Sequence, residues 1–432
     1  MISPDNELWQ SFLADDHATV ARLLEEHPEL RQQLNRGASD CDMPPLAAAK
    51  SRQMVDVLIA AGASVEDVSR WWASGFGVDR VKPAAARRLL QCGAEITIHA
   101  AAGIGLIDTV REMLDERPEL ARAGGGDGGH PLHFCTDPEI ARLLISRGAD
   151  IDARDDDHLS TPAQWRIGDA PEVVRLLLEH GAASDVFMAA GLGDLDLATG
   201  LVARDGSCTA QRIGNNKGAF PGIGFQGRGG TIYQWSLGFN LSPHEVALKR
   251  GHAELYEFLL AHSTPRTQLL VAATTANRPL AEAIAADHPG IVDSLDDEDR
   301  ALLPKFCWET NKDIEAVRLM LDLGFPIVAP ESNHGCTALH NAAWCGDADL
   351  VRLLIQRGHP TDVRDPDHHS TAIGWAVHSC TQAKRHPEGR FPEVVELLLA
   401  AGTPFDPVDF PVGHDRVDEV IKKHLDGRAS GS

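Results

Sequence analysis

The feature that most constrains this chain is a Leu-rich helical stretch that ends in glycine and returns at a nearly fixed interval. Residues 55–63 read Val-Asp-Val-Leu-Ile-Ala-Ala-Gly-Ala, and the pattern recurs at 88–94, 141–149, 174–182, 351–358 and 394–402. Gly148 and Gly181 lie 33 residues apart, and Gly324 and Gly358 lie 34 apart. A glycine placed after such a helix supplies the left-handed residue that ends it. A second marker precedes these stretches: Thr161-Pro162, Ser242-Pro243, Thr337-Ala338 and Thr371-Ala372. Thr or Ser caps a helix N-terminus, and Pro suits its first turn. Small residues follow, as at Ala342-Ala343, and a glycine such as Gly251 or Gly346 closes this shorter helix. Two short helices cannot hide their own apolar faces from water, so neighbouring units must cover one another. The pattern predicts an all-α stack of helix–turn–helix units.

Composition agrees. Hydrophobic residues make up 43%, charged residues 24% and aromatics 5% of the 432 residues, with only two tyrosines. Small and aliphatic cores suit closely packed helices. The formal net charge of −23 argues against nucleic acid, which requires a basic face. No apolar run approaches the roughly 20 residues of a membrane helix. The eight cysteines include no Cys-x-x-Cys pair, and residues 1–20 contain Asp5, Glu7, Asp15 and Asp16 instead of a secretory signal. These features predict a cytoplasmic protein with reduced cysteines and no membrane association.

Thr-x-Leu-His, paired alanines, a glycine turn and Val-x-x-Leu-Leu-x-x-Gly together resemble the ankyrin repeat. Residues 335–362 follow that pattern closely; 130–152, 160–184 and 242–260 follow it well. Residues 44–65, 71–95, 98–123, 187–213, 268–295, 302–328 and 371–406 match in degenerate form. The chain is thus similar to ankyrin-repeat proteins of bacterial type, with about twelve degenerate repeats. The expected fold is an all-α ankyrin-repeat solenoid with a Gly-rich loop inserted at 213–240. Its expected organisation is a single array over 1–432. A cap at 8–34 and a first block at 44–213 come before the insertion, 214–240. A second block at 242–406 and a cap at 412–426 come after it.

A longer duplication relates 130–184 to 335–406. The turn Arg154-Asp155-Asp156-Asp157-His158-Leu159-Ser160-Thr161 in the first copy becomes Arg364-Asp365-Pro366-Asp367-His368-His369-Ser370-Thr371 in the second. Trp165 and Trp375 each lie four residues past the Thr. The second copy carries an extra segment, 381–391. The Gly-rich insertion contains Gly222-x-Gly224-x-x-Gly227, formally a dinucleotide fingerprint, but it lacks the flanking strand and helix that the motif needs. Its aromatic residues Phe220, Phe225, Tyr233 and Trp235 suggest that it folds back onto the concave face.

The resemblance implies that partners meet the concave face, where it places Asp157, His158, Asn333, His334, Trp344, Asp367, His368 and His378. The leading expectation is a binding protein that holds a protein partner, or a small polar ligand, on that face. The alternative is an enzyme whose curled array closes a pocket for acid–base chemistry on a small polar or sugar-like substrate. Its candidate catalytic residues are His158, Asp157, His368, Asp367 and His334, each Asp orienting the imidazole beside it. Candidate ligand-binding residues are Trp344, His378, Trp235, Tyr233, Trp165 and Trp375, with Trp344 expected to be an exposed stacking platform. Trp165 and Trp375 also suit packing between repeats. His133 and His340 occupy the motif histidine, whose expected role is structural. His334, Cys336, His340 and Cys345 cluster in sequence without zinc-site spacing, so no metal and no cofactor is expected.

Overall fold

The computed structural model describes residues 4–35, 44–65, 83–214, 232–331, 335–383 and 386–429. Among the described residues every regular element is a helix or helical turn, and none is a strand. The chain divides into two compact units: residues 1–194 with 222–237, and residues 195–221 with 238–432.

The first unit begins with the helical pair Pro4–Leu13 and His17–Glu26. Arg52–Ala60 and Pro83–Gln91 follow; the sequence between them, where a short inner helix is expected, lies outside the described residues. Three complete short-long pairs come next: Ile98–Gly103 with Ile107–Glu116, Pro131–Phe134 with Pro138–Ser146, and Pro162–Arg166 with Pro171–Glu179. Val186–Leu192 is the last inner helix of this unit. The second unit contains Leu195–Arg204 and then the pairs Pro243–Lys249/Ala253–Ala261 and Pro265–Thr274/Arg278–Asp287. After them, Leu302–Lys305 pairs with Ile314–Leu323, Ala338–Trp344 with Ala348–Gln356, and Ala372–His378 with Phe391–Ala400. Asp415–Ala429 closes the unit.

The caps read from sequence set these boundaries. The Thr161 hydroxyl accepts from the Gln164 backbone N–H at 3.4 Å, while the Gln164 side chain accepts from the Thr161 N–H at 3.0 Å. Ser242 and Glu245 repeat this reciprocal capping. At the other end Gly324 adopts φ +95° and caps Ile314–Leu323, a conformation that an L side chain resists.

The inner helices approach one another closely because they are built of small residues. Ala342 and Ala343 are fully buried, as are Ala272 and Ala273. The outer helices supply the larger side chains. In the second unit one apolar cluster runs from Leu270 through Met320, Leu339, Leu354 and Leu398 to Ile421.

Residues 215–231 of the Gly-rich insertion, including Phe220, Phe225 and the Gly222–Gly227 motif, lie outside the described residues. Its end, Ile232–Leu237, belongs to the first unit. Ile232 packs in a buried cluster with Phe134 and Trp165. Gly168 permits the approach of this segment, because a Cβ there would come within 2.8 Å of the Ser236 carbonyl oxygen.

The stacked core makes one outcome quantitative. Leu354 is fully buried. Leu354→Ala should cost about 2–5 kcal/mol, read as a lower urea midpoint of the full chain. An unchanged midpoint would mean that the two neighbouring repeats do not rely on this side chain.

Candidate functional site

In both copies of the duplication, the motif histidine ties one repeat to the next. His133 Nδ1 accepts from the His130 backbone N–H at 2.9 Å, which places the ring proton on Nε2; this donates to the Ser160 carbonyl at 3.1 Å. His340 Nδ1 accepts from the Thr337 N–H at 3.2 Å, and its Nε2 donates to the Ser370 carbonyl at 3.1 Å. Burial lowers the pKa of both, that of His133 to about 4.

The turn that receives this bond is organised by a buried Asp. Asp155 accepts from the backbone N–H groups of His158 at 2.7 Å and Ser160 at 2.6 Å. Asp365 accepts from those of His368 at 2.6 Å and Ser370 at 3.0 Å. Leu159 and His369 hold the same left-handed turn position, with φ of +50° and +52°.

The expectation that Asp157 orients the adjacent imidazole is therefore corrected. His158 Nδ1 lies 3.1 Å from Asp155 Oδ2, whereas Asp157 Oδ2 lies 3.7 Å from the other ring nitrogen. The turn folds residue i onto residue i+3, so the carboxylate three positions back reaches the ring. Burial works against charge on His158, but the Asp155 hydrogen bond and the charges of Asp155, Asp157 and Asp127 outweigh it and raise its pKa. The counterpart differs. His368 and Asp367 are exposed, and Asp365 instead accepts from Trp375 Nε1 at 3.0 Å. His334 and Asn333 lie outside the described residues.

Trp344 is not the exposed platform expected from sequence. It is half-buried and stacked between Trp308, with centroids 5.9 Å and planes 13° apart, and His378, at 5.8 Å and 23°. Trp375 meets its edge at 5.5 Å. Trp308 was missed by the sequence reading, yet its register gives it away: Trp308, Trp344 and His378 each fall seven residues after Ala301, Thr337 and Thr371, the caps of three inner helices. The result is an aromatic ladder across three successive repeats of the second unit, with Trp308 in the turn after Leu302–Lys305 and Trp344 and His378 at the last positions of their helices.

The ladder ends in a groove of about 1070 Å³ lined by His378, Thr371, Arg364, Thr403, Asp406 and His424 among others. The Thr403 hydroxyl oxygen is buried without a hydrogen-bond partner.

Tyr233 is fully buried, its hydroxyl donating to Asp185 at 2.8 Å, so it cannot meet a surface ligand. Trp235, two residues on, is 70% exposed. Trp165 is 6% exposed and packs edge-on against His158 and His133.

The family model described as "Ankyrin repeat" matches residues 127–156 and 334–367, the two segments that carry the motif histidines and their turns. Both segments are ankyrin repeats. Ankyrin repeats generally mediate protein–protein binding. The chain is 29% identical over 231 residues to "Ankyrin repeat and KH domain-containing protein mask-1" of Caenorhabditis elegans. That stretch is 51% of this chain and 8% of the relative's length. A crystal structure of an ankyrin repeat domain from Acinetobacter baumannii AYE is 15% identical, covers 56% of this chain and 97% of its own, and superposes with a TM-score of 0.27. Among the described residues no helix is long and apolar enough to cross a membrane.

The buried histidines set a pH dependence. Burial holds His133, His244 and His359 at about 4, below the ordinary 6.5. A lowered folded value favours the neutral ring, so this stabilisation is complete above about pH 6.5 and is lost as pH falls toward 4. Each ring accounts for roughly 3 kcal/mol at the acid end. His158 runs the other way: its raised value stabilises below about pH 6.5, and that contribution fades as pH rises through the folded value. The urea midpoint should therefore fall between pH 6.5 and 4, and less steeply in His359→Leu. A flat profile contradicts the assignment of neutral buried rings.

Proposed function

We propose that the protein holds a protein partner on the inner-helix face of its second unit, the concave side of an ankyrin array. The aromatic ladder Trp308–Trp344–His378 is the centre of that contact. The carrying observation is the register: the ends of two successive inner helices and the turn after the helix before them present an aromatic or imidazole ring at one position, stacked into a continuous strip. Aromatic side chains supply large contact area at little entropic cost and dominate interface energetics. A solitary stack needed only for stability has no reason to run across three repeats and finish on exposed His378.

The net charge of −23 favours a partner whose docking segment is basic. Arg or Lys on such a segment can lie against the outer ring faces of the ladder. Long-range attraction would also speed the encounter and make it sensitive to salt.

Trp308→Ala and His378→Ala should each weaken capture of the partner about tenfold or more, the loss typical of an interface hot spot. Trp235→Ala, in the first unit, should leave capture unchanged. The comparison is made by pull-down with quantified retention at low and high salt, with far-ultraviolet circular dichroism as the folding control. Equal retention by Trp308→Ala and wild type would refute the ladder as the contact.

A further inference from the structure

The second copy of the duplication has a groove where the first copy holds a tyrosine. In the first copy the end of the Gly-rich insertion lies against the helix Pro162–Arg166. The Tyr233 hydroxyl donates to Asp185 Oδ2 at 2.8 Å, and the Gln164 amide donates to the same oxygen at 3.3 Å. The Ile232 backbone N–H, just before the ring, donates to the Ser160 hydroxyl at 3.4 Å. Burial raises the Tyr233 pKa, so the phenol keeps its proton and serves as the donor.

Each of these three receiving residues has a counterpart in the second copy. Ser160 and Gln164 correspond to Ser370 and Gly374, 210 residues on. Asp185 corresponds to Asp406, 221 residues on, the extra segment 381–391 making up the difference. Ser370, Gly374 and Asp406 all line the groove of about 1070 Å³. The two Asp residues are held alike. Asp185 Oδ1 accepts from the Phe187 N–H at 2.9 Å, and Asp406 Oδ1 accepts from the Val408 N–H at 3.0 Å. In the first copy it is the other oxygen, Oδ2, that takes the phenol.

Two differences between the copies open the second site. Gln164 occupies its space and caps Thr161, whereas Gly374 has no side chain and Thr371 makes no side-chain cap bond. A Cβ at Gly374 would come within 1.9 Å of the Ser370 hydroxyl oxygen. Thr403 stands where the first copy has Ala182. It lines the groove, is 5% exposed, and its hydroxyl has no hydrogen-bond partner among the described residues. A buried hydroxyl left unpaired is costly, and a polar atom seated in the groove would relieve that cost.

The groove also has apolar lining, at Val377 and Phe405. A ring with a hydroxyl at its tip matches this combination of an apolar wall and a polar end. Ser370 keeps the hydroxyl that in the first copy takes the N–H beside the ring, which favours a polypeptide over a free phenol. The occupant's chain departs from the first copy's path at one point. His378 stands where Gly168 admits the Ser236 carbonyl, so the chain would pass outside His378, toward the end of the ladder. A second copy of this chain does not supply the ring, because its two tyrosines, Tyr233 and Tyr256, are both buried.

We propose that the groove receives a tyrosine side chain of the protein partner, with its hydroxyl donating to Asp406. This rests on the reading that the second unit holds a protein partner.

The probe is the fluorescein-labelled peptide Lys-Ile-Tyr-Gly-Lys, titrated with the full chain and read by anisotropy. Its Phe counterpart should bind about tenfold more weakly, the loss expected for one hydrogen bond to a carboxylate. Asp406→Ala should abolish that preference. Circular dichroism checks the fold; if Asp406→Ala does not fold, Asp406→Asn, which keeps an acceptor for Val408, should cut the preference to roughly threefold. No binding of either peptide by wild type overturns the proposal, as does equal affinity for the two or a preference unchanged in the folded Asp406 variant. Tighter binding of the phosphotyrosine peptide also overturns it, since an anion would be drawn to Arg364 and His424 instead. Trp308→Ala should leave the peptide affinities unchanged. The peptides therefore report on the groove and the pull-down on the ladder, and either reading can fail without the other.

Discussion

Every repeat of this protein that carries the motif depends on one short link: an imidazole that caps its own helix with one nitrogen and grips the next repeat with the other. His133 and His340 make this link in the two copies. It works only while the ring is neutral, because one nitrogen must accept and the other must donate. Burial enforces that state. The arrangement converts a local helix cap into an inter-repeat tie, which a stack of otherwise self-insufficient units requires.

The turn on the receiving side shows how one framework supports different surfaces. Asp155 and Asp365 hold the same loop with the same two backbone N–H bonds. Their remaining capacity goes to different partners, an imidazole in one copy and an indole in the other. The choice alters what the surface offers. In the second unit Trp375 is anchored and meets the edge of Trp344, steadying the ladder. In the first, the imidazole faces a group of carboxylates. Duplication thus preserved the scaffold and separated the chemistry.

Much of the site was legible because ankyrin register is strict. The caps Thr161, Ser242, Thr337 and Thr371 mark helix starts, and the position seven residues later finds Trp344 and His378. The same count finds Trp308, but Ala301 in place of a Thr or Ser hides that cap from a motif search. The sequence points to Asp157 because adjacency along the chain suggests adjacency in space, which a tight turn reverses. Trp344 reads as exposed from its own segment because the stacked rings on either side of it come from residues 36 earlier and 34 later.

The periodic glycines, the helix caps and the small-residue inner helices are properties of short segments, and they alone determined that the chain folds as stacked helical pairs. Local rules suffice there, because hydrogen bonding and φ preferences act within a few residues. Which ring stacks on which, which carboxylate holds His158 and why Tyr233 is buried while Trp235 is exposed were decided only by tertiary structure. The ring stacking and the burial of Tyr233 turn on packing between side chains a whole repeat or more apart, and the His158 contact on a turn that folds residue i onto i+3; in each, orientation and desolvation govern, and spacing along the chain alone does not fix them.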